Sequence, residues 1–122
     1  MATLTAKQLS ARHCKACEDK GKRLSVDEAH ERMKALCHWQ LAEDGRQISR
    51  EWVVKDFAAG MAFLNSIGQL AEEEDHHPDL HLEGYRRVRI NLSTHAVDGL
   101  SDNDFILAAK IDRLPVEVNQ AS

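Results

Sequence analysis

Apolar and polar residues alternate along this chain with two different periods, and the changes between them mark its helices and strands. Apolar residues recur at helical spacing in three segments, at about 26–37, 57–71 and 102–114. The segments 39–54 and 80–93 instead contain runs in which apolar and polar residues alternate, as in half-buried strands. The pattern predicts the order helix, strand, strand, helix, strand, strand, helix.

The predicted helices begin at residues that can cap them. Ser25-Val26-Asp27-Glu28 is a capping box, and Ser101-Asp102-Asn103-Asp104 is another in which Asp replaces the usual Glu. Asp56 can cap the middle helix. Thr5-Ala6-Lys7-Gln8 could open an additional short helix. For Asp104 we regard capping as the main role, because the local sequence explains it without a ligand.

The middle helix should bury one apolar face and end close to a proline. The predicted buried face consists of Phe57, Met61, Leu64, Ile67 or Gly68, and Ala71. Pro78 disfavours helical backbone at His77, so the helix should end within the acidic run Glu72–Asp75. Carboxylates at a helix C-terminus oppose the helix dipole. Their presence there suggests a role other than helix stability.

The four predicted strands indicate an α+β fold with one four-stranded antiparallel sheet and helices packed on one face. Glu43-Asp44-Gly45 is the turn of the first hairpin, in which Trp39 and Trp52 are candidate core residues. In the last strand Val88, Ile90 and Leu92 share one face. We expect Tyr85 to pack in the core or against the sheet. The open edges of such a sheet could pair in an oligomer.

The chain length of 122 residues fits one domain. We place an N-terminal extension at 1–24, the domain at 25–116 and a C-terminal tail at 117–122. The net charge of −4 argues against nucleic acid as a partner, because phosphate binding requires a basic surface. No signal peptide or membrane-spanning stretch is visible, so we expect a cytoplasmic protein that does not bind membranes.

Three of the seven histidines are candidates for catalysis. His76 and His77 follow the acidic run directly, and His95 follows Ser93-Thr94. Imidazole gains and loses protons near neutral pH, so three such groups beside a carboxylate could perform acid/base chemistry on a bound substrate. The residues alone leave open that these histidines are solvated loop residues or make hydrogen bonds at the edge of the core.

The spacing of these residues resembles the signature of the pterin-4a-carbinolamine dehydratases, also called 4a-hydroxytetrahydrobiopterin dehydratases. The matching pattern is Glu72-x3-His76-His77-Pro78-x6-Tyr85-x9-His95-x8-Asp104. Flanking similarity is found in Val54–Phe57, Ala62-Phe63, Leu92–His95 and Gly99–Asp104. The resemblance covers about Val26 to Leu114.

The resemblance implies an α+β enzyme that forms homodimers or homotetramers by joining sheets edge to edge. It implies dehydration of 4a-hydroxytetrahydropterin to quinonoid dihydropterin in tetrahydropterin recycling, with no metal and no organic cofactor. By motif position, His76 and His95 resemble the general acid/base pair, and His77 a substrate-binding histidine that supports catalysis. Further substrate contacts are implied for Glu72, Asp75, Ser93, Thr94 and Ala96.

Two features depart from the commonest family pattern. The loop between His77 and Tyr85 has the longer of two permitted lengths, and Leu80 stands where many relatives have an aromatic residue. Both could alter the rim of the substrate site. The alternative function is a non-enzymatic pterin-binding or protein-interaction role, since the resembled family includes dimerisation partners of a transcription factor.

Two metal sites and one charged patch are further interpretations. Zinc could bind residues from two segments, namely His13, Cys14, Cys17, Cys37 and His38. His77 and His81 could bind a metal together, although Pro78 makes a helix between them improbable. We favour thiols without metal and no metal at the histidines. We interpret Arg86, Arg87 and Arg89 as a solvated sheet face or oligomer contacts.

Overall fold

The predicted order of helices and strands is confirmed, with one short helix preceding it. A computed structural model describes residues 5–12 and 23–118. Its helices are α1 (Ala6–Ser10), α2 (Val26–Met33), α3 (Phe57–Glu74) and α4 (Asp102–Asp112), and its strands are β1 (Gln40–Leu41), β2 (Ile48–Val53), β3 (Asp79–Glu83) and β4 (Arg87–Leu92). A 3₁₀ turn covers His95–Val97. None of the helices described is long and apolar enough to cross a membrane.

The four strands form one antiparallel sheet in the order β1-β2-β4-β3. The register pairs Ile48 with Leu92 and Trp52 with Val88, so that apolar side chains of neighbouring strands share one face. On β4 the residues of this face are buried, whereas the alternate residues are exposed or half-buried. The sheet is therefore apolar toward the helices and polar on its other face, as the α+β prediction requires.

Both tryptophans lie in the core, as predicted. Trp39 is 4% exposed and Trp52 is 6% exposed. Their rings meet edge to face at 5.9 Å, and Trp52 meets Phe63 of α3 in the same way at 5.0 Å. The indole Nε1–H of Trp39 donates to both carboxylate oxygens of Asp112 at 2.9 and 3.0 Å. These contacts join the sheet to α3 and α4.

The buried face of α3 differs from the predicted one. Phe57 and Met61 are 54% and 43% exposed, so their assignment to the core was wrong. The buried positions are Gly60, Phe63, Ile67, Ala71 and Glu74. A Cβ atom on Gly60 would lie only 3.1 Å from Leu82 of β3. The helix therefore packs close to β3 at Gly60, and of the predicted positions Ile67 and Ala71 are buried as expected.

Three other predictions also need correction. Tyr85 is not a core residue, because it lies in the β3–β4 turn with φ 55° and is 59% exposed. The helix predicted to reach Cys37 ends at Met33. The apolar spacing over 102–114 predicted a helix buried on one face, but α4 is buried on all sides, including every residue from 103 to 109.

The predicted extension and tail both contact the domain. Leu9 of α1 is 2% exposed, and Lys110 of α4 donates to the carbonyl oxygen of Ser10 at 2.9 Å. At the other end, the backbone N–H of Lys55 donates to the carbonyl oxygen of Glu117 at 2.8 Å. His13, Cys14 and Cys17 of the zinc interpretation lie outside the described residues. Within 5–12 and 23–118, no group of three potential metal ligands is found.

Candidate active site

The end of α3 determines where the two adjacent histidines lie. Asp75 follows the helix with left-handed backbone angles, φ 51° and ψ 43°. The N–H of Asp75 donates to the carbonyl of Glu72 at 3.4 Å, and the N–H of His76 donates to that of Ala71 at 3.1 Å. This is the Schellman arrangement that terminates many helices. It turns the chain so that His76 points inward, 3% exposed, while His77 remains exposed.

His76 is bound to a carboxylate that lies 28 residues further along the chain. Its Nε2 lies 2.7 Å from Oδ1 of Asp104, which is completely buried. Asp104 also caps α4 as predicted, because its Oδ2 accepts the backbone N–H of Ser101 at 3.0 Å. One carboxylate therefore stabilises the start of α4 and holds a candidate catalytic ring.

Thr94 links this pair to the segment that carries His95. The Thr94 hydroxyl donates to Oδ2 of Asp104 at 2.7 Å, and it lies 2.8 Å from the Ser101 hydroxyl. Since a hydroxyl has only one proton, the Ser101 hydroxyl must be the donor to Thr94. Thr94 and Ser101 are each 1% exposed, so this network is shielded from water. Buried polar groups that are all hydrogen-bonded hold a single geometry.

The turn that follows Thr94 is closed on itself. The N–H of Thr94 donates to the carbonyl of Gly99 at 2.7 Å, and Asp98 adopts positive φ. The Arg23 guanidinium donates to the carbonyl oxygen of Asp98 at 3.2 Å, and Arg46 forms an ion pair with its carboxylate at 3.4 Å. His95 is exposed in this turn, immediately after a residue that shares Asp104 with His76.

His77 and Glu72 form a second, exposed pair. Nε2 of His77 lies 2.6 Å from Oε2 of Glu72, and the two side chains are 59% and 78% exposed. Glu72 lies in the last turn of α3, so the acidic run supplies a partner for His77 despite its unfavourable position on the helix dipole. The pair is accessible to a ligand from solvent.

The remaining predicted substrate contacts lie within two residues of a candidate histidine along the chain. Asp75 is exposed at the end of α3, Ser93 is half-buried after β4, and Ala96 is exposed beside His95. A cavity of about 410 Å³ lies elsewhere, on the polar face of the sheet. Its lining consists of His38, Gln40, Ser49, Arg50, Glu51 and Arg89. None of the predicted site residues lines this cavity.

Sequence reasoning missed the contact between Asp104 and His76. It assigned Asp104 to the cap, which uses only one of the two carboxylate oxygens. The other oxygen was free to bind a second group, and a buried carboxylate requires such partners. Sequence reasoning also missed Ser101 as the residue that orients Thr94, and Arg23 as a support for the His95 turn. Both depend on contacts that no local pattern reveals.

Comparison with known protein families identifies close relatives. A family model described as pterin 4 alpha carbinolamine dehydratase matches residues 22–114. A mitochondrial pterin-4-alpha-carbinolamine dehydratase 2 from Arabidopsis thaliana is 43% identical over 112 residues, which cover 89% of this chain and 60% of that protein. A protein from Legionella pneumophila, named as a candidate pterin-4-alpha-carbinolamine dehydratase, is 44% identical and is covered over 96% of its length.

Solved structures agree with this assignment. A protein from Brucella melitensis described as a transcriptional coactivator/pterin dehydratase matches with a TM-score of 0.69 and 33% identity, covering 75% of this chain and 96% of that chain. A pterin dehydratase-like protein described as a RuBisCO assembly factor in the alpha-carboxysome matches with a TM-score of 0.51 and 25% identity, over 61% of this chain and 84% of that chain. The chain belongs to the pterin 4 alpha carbinolamine dehydratase family.

Proposed function

We propose that this protein dehydrates 4a-hydroxytetrahydropterin to quinonoid dihydropterin and water, as a hydro-lyase of tetrahydropterin recycling. Family membership supports the dehydratase activity. The observation that carries the proposal is the buried His76–Asp104 pair, which shares Thr94 with the turn that presents His95. An imidazole held in this way, linked through Asp104 and Thr94 to the turn with a second, exposed imidazole, suits the transfer of two protons to and from one substrate.

The reaction requires one proton to be added and another to be removed. The 4a-hydroxyl leaves as water once it is protonated, and the neighbouring ring nitrogen loses its N–H proton as the C=N bond forms. His76 and His95 are the general acid/base pair in this proposal. Positioned groups of this kind contribute about 10²–10⁴-fold to a rate. No metal or organic cofactor enters the proposed reaction.

The exposed pair of His77 and Glu72 binds the substrate in this proposal. The carboxylate accepts a hydrogen bond from one ring nitrogen of His77 and thereby orients the ring toward a ligand. Asp75, Ser93 and Ala96 lie on the segments that carry the three histidines, and their backbone and side-chain groups complete the contacts to the flat pterin ring. Thr94, predicted as a further contact, is 1% exposed and acts here by holding Asp104.

The test measures the first-order loss of 4a-hydroxytetrahydropterin by ultraviolet absorbance. The wild-type protein should accelerate the reaction, and the double variant His76→Ala, His95→Ala should leave only the uncatalysed rate. His30→Ala is the matched control, because this histidine is exposed on α2, outside the proposed site. Equal rates for wild type and double variant would refute the proposal.

We further propose that the protein forms a homodimer or homotetramer. β3 is an edge strand whose Leu80 is 40% exposed, and α3 exposes Phe57 and Met61. Unpaired strand edges and exposed apolar side chains favour association with a second copy. Light scattering coupled to size exclusion should give twice or four times the chain mass. Phe57→Gln with Met61→Gln should lower that mass if the helix surface contributes, and a monomeric wild type would refute association.

A protein-interaction role is the second candidate function. It is favoured by the descriptions of two structural relatives, one as a transcriptional coactivator/pterin dehydratase and one as a RuBisCO assembly factor. The exposed side chains of Phe57 and Met61 would offer an apolar contact surface for a partner. Retention of a stable partner by the catalytically inactive double variant, together with no acceleration by the wild type, would favour this function over the dehydratase.

A further inference from the structure

The hydrogen bonds of Asp104 determine which nitrogen of His76 carries the proton. Oδ2 of Asp104 accepts from the Thr94 hydroxyl and from the Ser101 N–H, and Oδ1 faces Nε2 of His76. An ionised carboxylate only accepts hydrogen bonds. Nε2 must therefore be the donor, and in the neutral ring Nδ1 is the unprotonated nitrogen.

The unprotonated nitrogen is also the one that can reach solvent. Among the described residues, Nδ1 of His76 has no hydrogen-bond partner. Every fully buried side-chain nitrogen or oxygen in that part of the chain does have a partner, so Nδ1 is not fully buried. Nδ1 must then lie within the 3% of His76 that is exposed. The ring thus presents a lone pair to the surface and a proton to Asp104.

We propose that Asp104 is a positioning residue that locks His76 in the Nε2–H tautomer, so that Nδ1 is the atom exchanging a proton with the substrate. Thr94 and Ser101 orient Asp104 by occupying its other oxygen. This inference rests on the proposed dehydratase function. It also assigns the two roles within the acid/base pair, with His76 as the general base and His95 as the general acid.

The assignment gives a balanced proton transfer. Nδ1 of His76 takes the ring N–H proton as the C=N bond forms, and the C–O bond to the hydroxyl breaks. Protonated His95 gives its proton to the departing hydroxyl, which leaves as water. His76 ends with one proton more and His95 with one fewer, and exchange with solvent restores both.

Asp104→Asn separates this role from a structural one. The amide oxygen should take the place of Oδ2, because the Thr94 hydroxyl and the Ser101 N–H both donate there. The amide NH₂ group then faces His76. The NH₂ group can only donate, so Nε2 would become the acceptor and the proton would move to Nδ1. The rate of the catalysed step should then fall by about 10²-fold or more, because the exchanging atom is blocked.

The experiment combines the dehydratase assay with nitrogen NMR of protein labelled with ¹⁵N-histidine. In the wild type the neutral ring of His76 should show a protonated Nε2 and an unprotonated Nδ1. In Asp104→Asn the proton should instead be on Nδ1, and kcat should fall. Asp102→Asn is the matched control, because it removes the same charge from the same helix turn. The Asp102 carboxylate pairs with Arg32 and not with His76. It should leave both the tautomer and the rate unchanged.

The outcomes distinguish this inference from the proposed function. A wild-type His76 protonated on Nδ1 would overturn the inference even if the enzyme is active, and the wild-type spectrum alone decides this if Asp104→Asn does not fold. An Asp104→Asn protein that keeps the Nε2–H tautomer would also overturn it. Correct tautomers without any acceleration by the wild type would support the positioning geometry and refute the dehydratase function.

Discussion

Asp75 occupies a backbone conformation that most side chains avoid. Its φ of 51° lies in the left-handed region, where glycine is the residue without strain. The residue lies between the end of α3 and His76, so its conformation determines the direction in which the histidine pair leaves the helix. The acidic run places a carboxylate here, where aspartate tolerates the left-handed region better than β-branched residues do.

Asp75→Gly should stabilise the protein by about 0.5–1 kcal/mol. Glycine removes the strain at positive φ, and loss of the carboxylate removes its repulsion by the helix C-terminus. Urea denaturation of both proteins measures the difference. Asp75→Val is the comparison variant and should be destabilised, because a β-branched side chain adopts positive φ with difficulty. A less stable glycine variant would show that the Asp75 side chain makes a compensating contact.

Helix α1 shows how an element with little intrinsic stability becomes part of the fold. A five-residue helix does not persist alone in water, since helix nucleation is unfavourable. Here a capping box at Thr5 fixes its start, and burial of Leu9 against α4 stabilises it. Asp104 lies in the first turn of the same helix α4. Packing of the N-terminal segment thus supports the helix that holds His76.

Leu9→Ala should lower the free energy of unfolding by about 2–5 kcal/mol, because it removes a fully buried side chain from a packed contact. Lys7→Ala, on the exposed side of α1, is the control and should change it by less than about 0.5 kcal/mol. Thermal and urea denaturation provide the measurement. A change as small as that of the control would mean that α1 is detached in solution.

At the scale of the whole molecule, the site is assembled from segments that are distant in sequence. The end of α3 supplies His76, the turn after β4 supplies Thr94 and His95, and the start of α4 supplies Asp104. Arg23, from the far N-terminal side, packs its side chain against Gly99. The geometry of the site therefore depends on the tertiary fold as a whole.

Gly99→Ala tests the contact that supports the His95 turn. A Cβ atom on residue 99 would lie 2.3 Å from Cδ of Arg23, which is too close. The flexible arginine should move away and lose its hydrogen bond to Asp98, at a cost of about 0.5–1.5 kcal/mol. In a double-mutant cycle with Arg23→Ala, the glycine substitution should then cost almost nothing. Additive effects would show that the backbone of the turn moves instead.

Local physical chemistry determines the helix starts and the order of helices and strands along the chain. Capping at Ser25, Asp56 and Ser101 depends on neighbouring residues, and all three caps are confirmed. The alternation that buries Val88, Ile90 and Leu92 is likewise a local property of the strand. The same pattern, together with the family resemblance, predicted the fold class and the family correctly.

Only the tertiary structure decided which face of α3 is buried and what Asp104 binds. Phe57 and Met61 have the apolar spacing of a core face, but both are exposed, and the first half of the helix is buried at Gly60 and Phe63 instead. Asp104 binds His76 because two helix ends meet in space. Sequence patterns record which residues a local element contains, whereas such contacts depend on how the elements pack together.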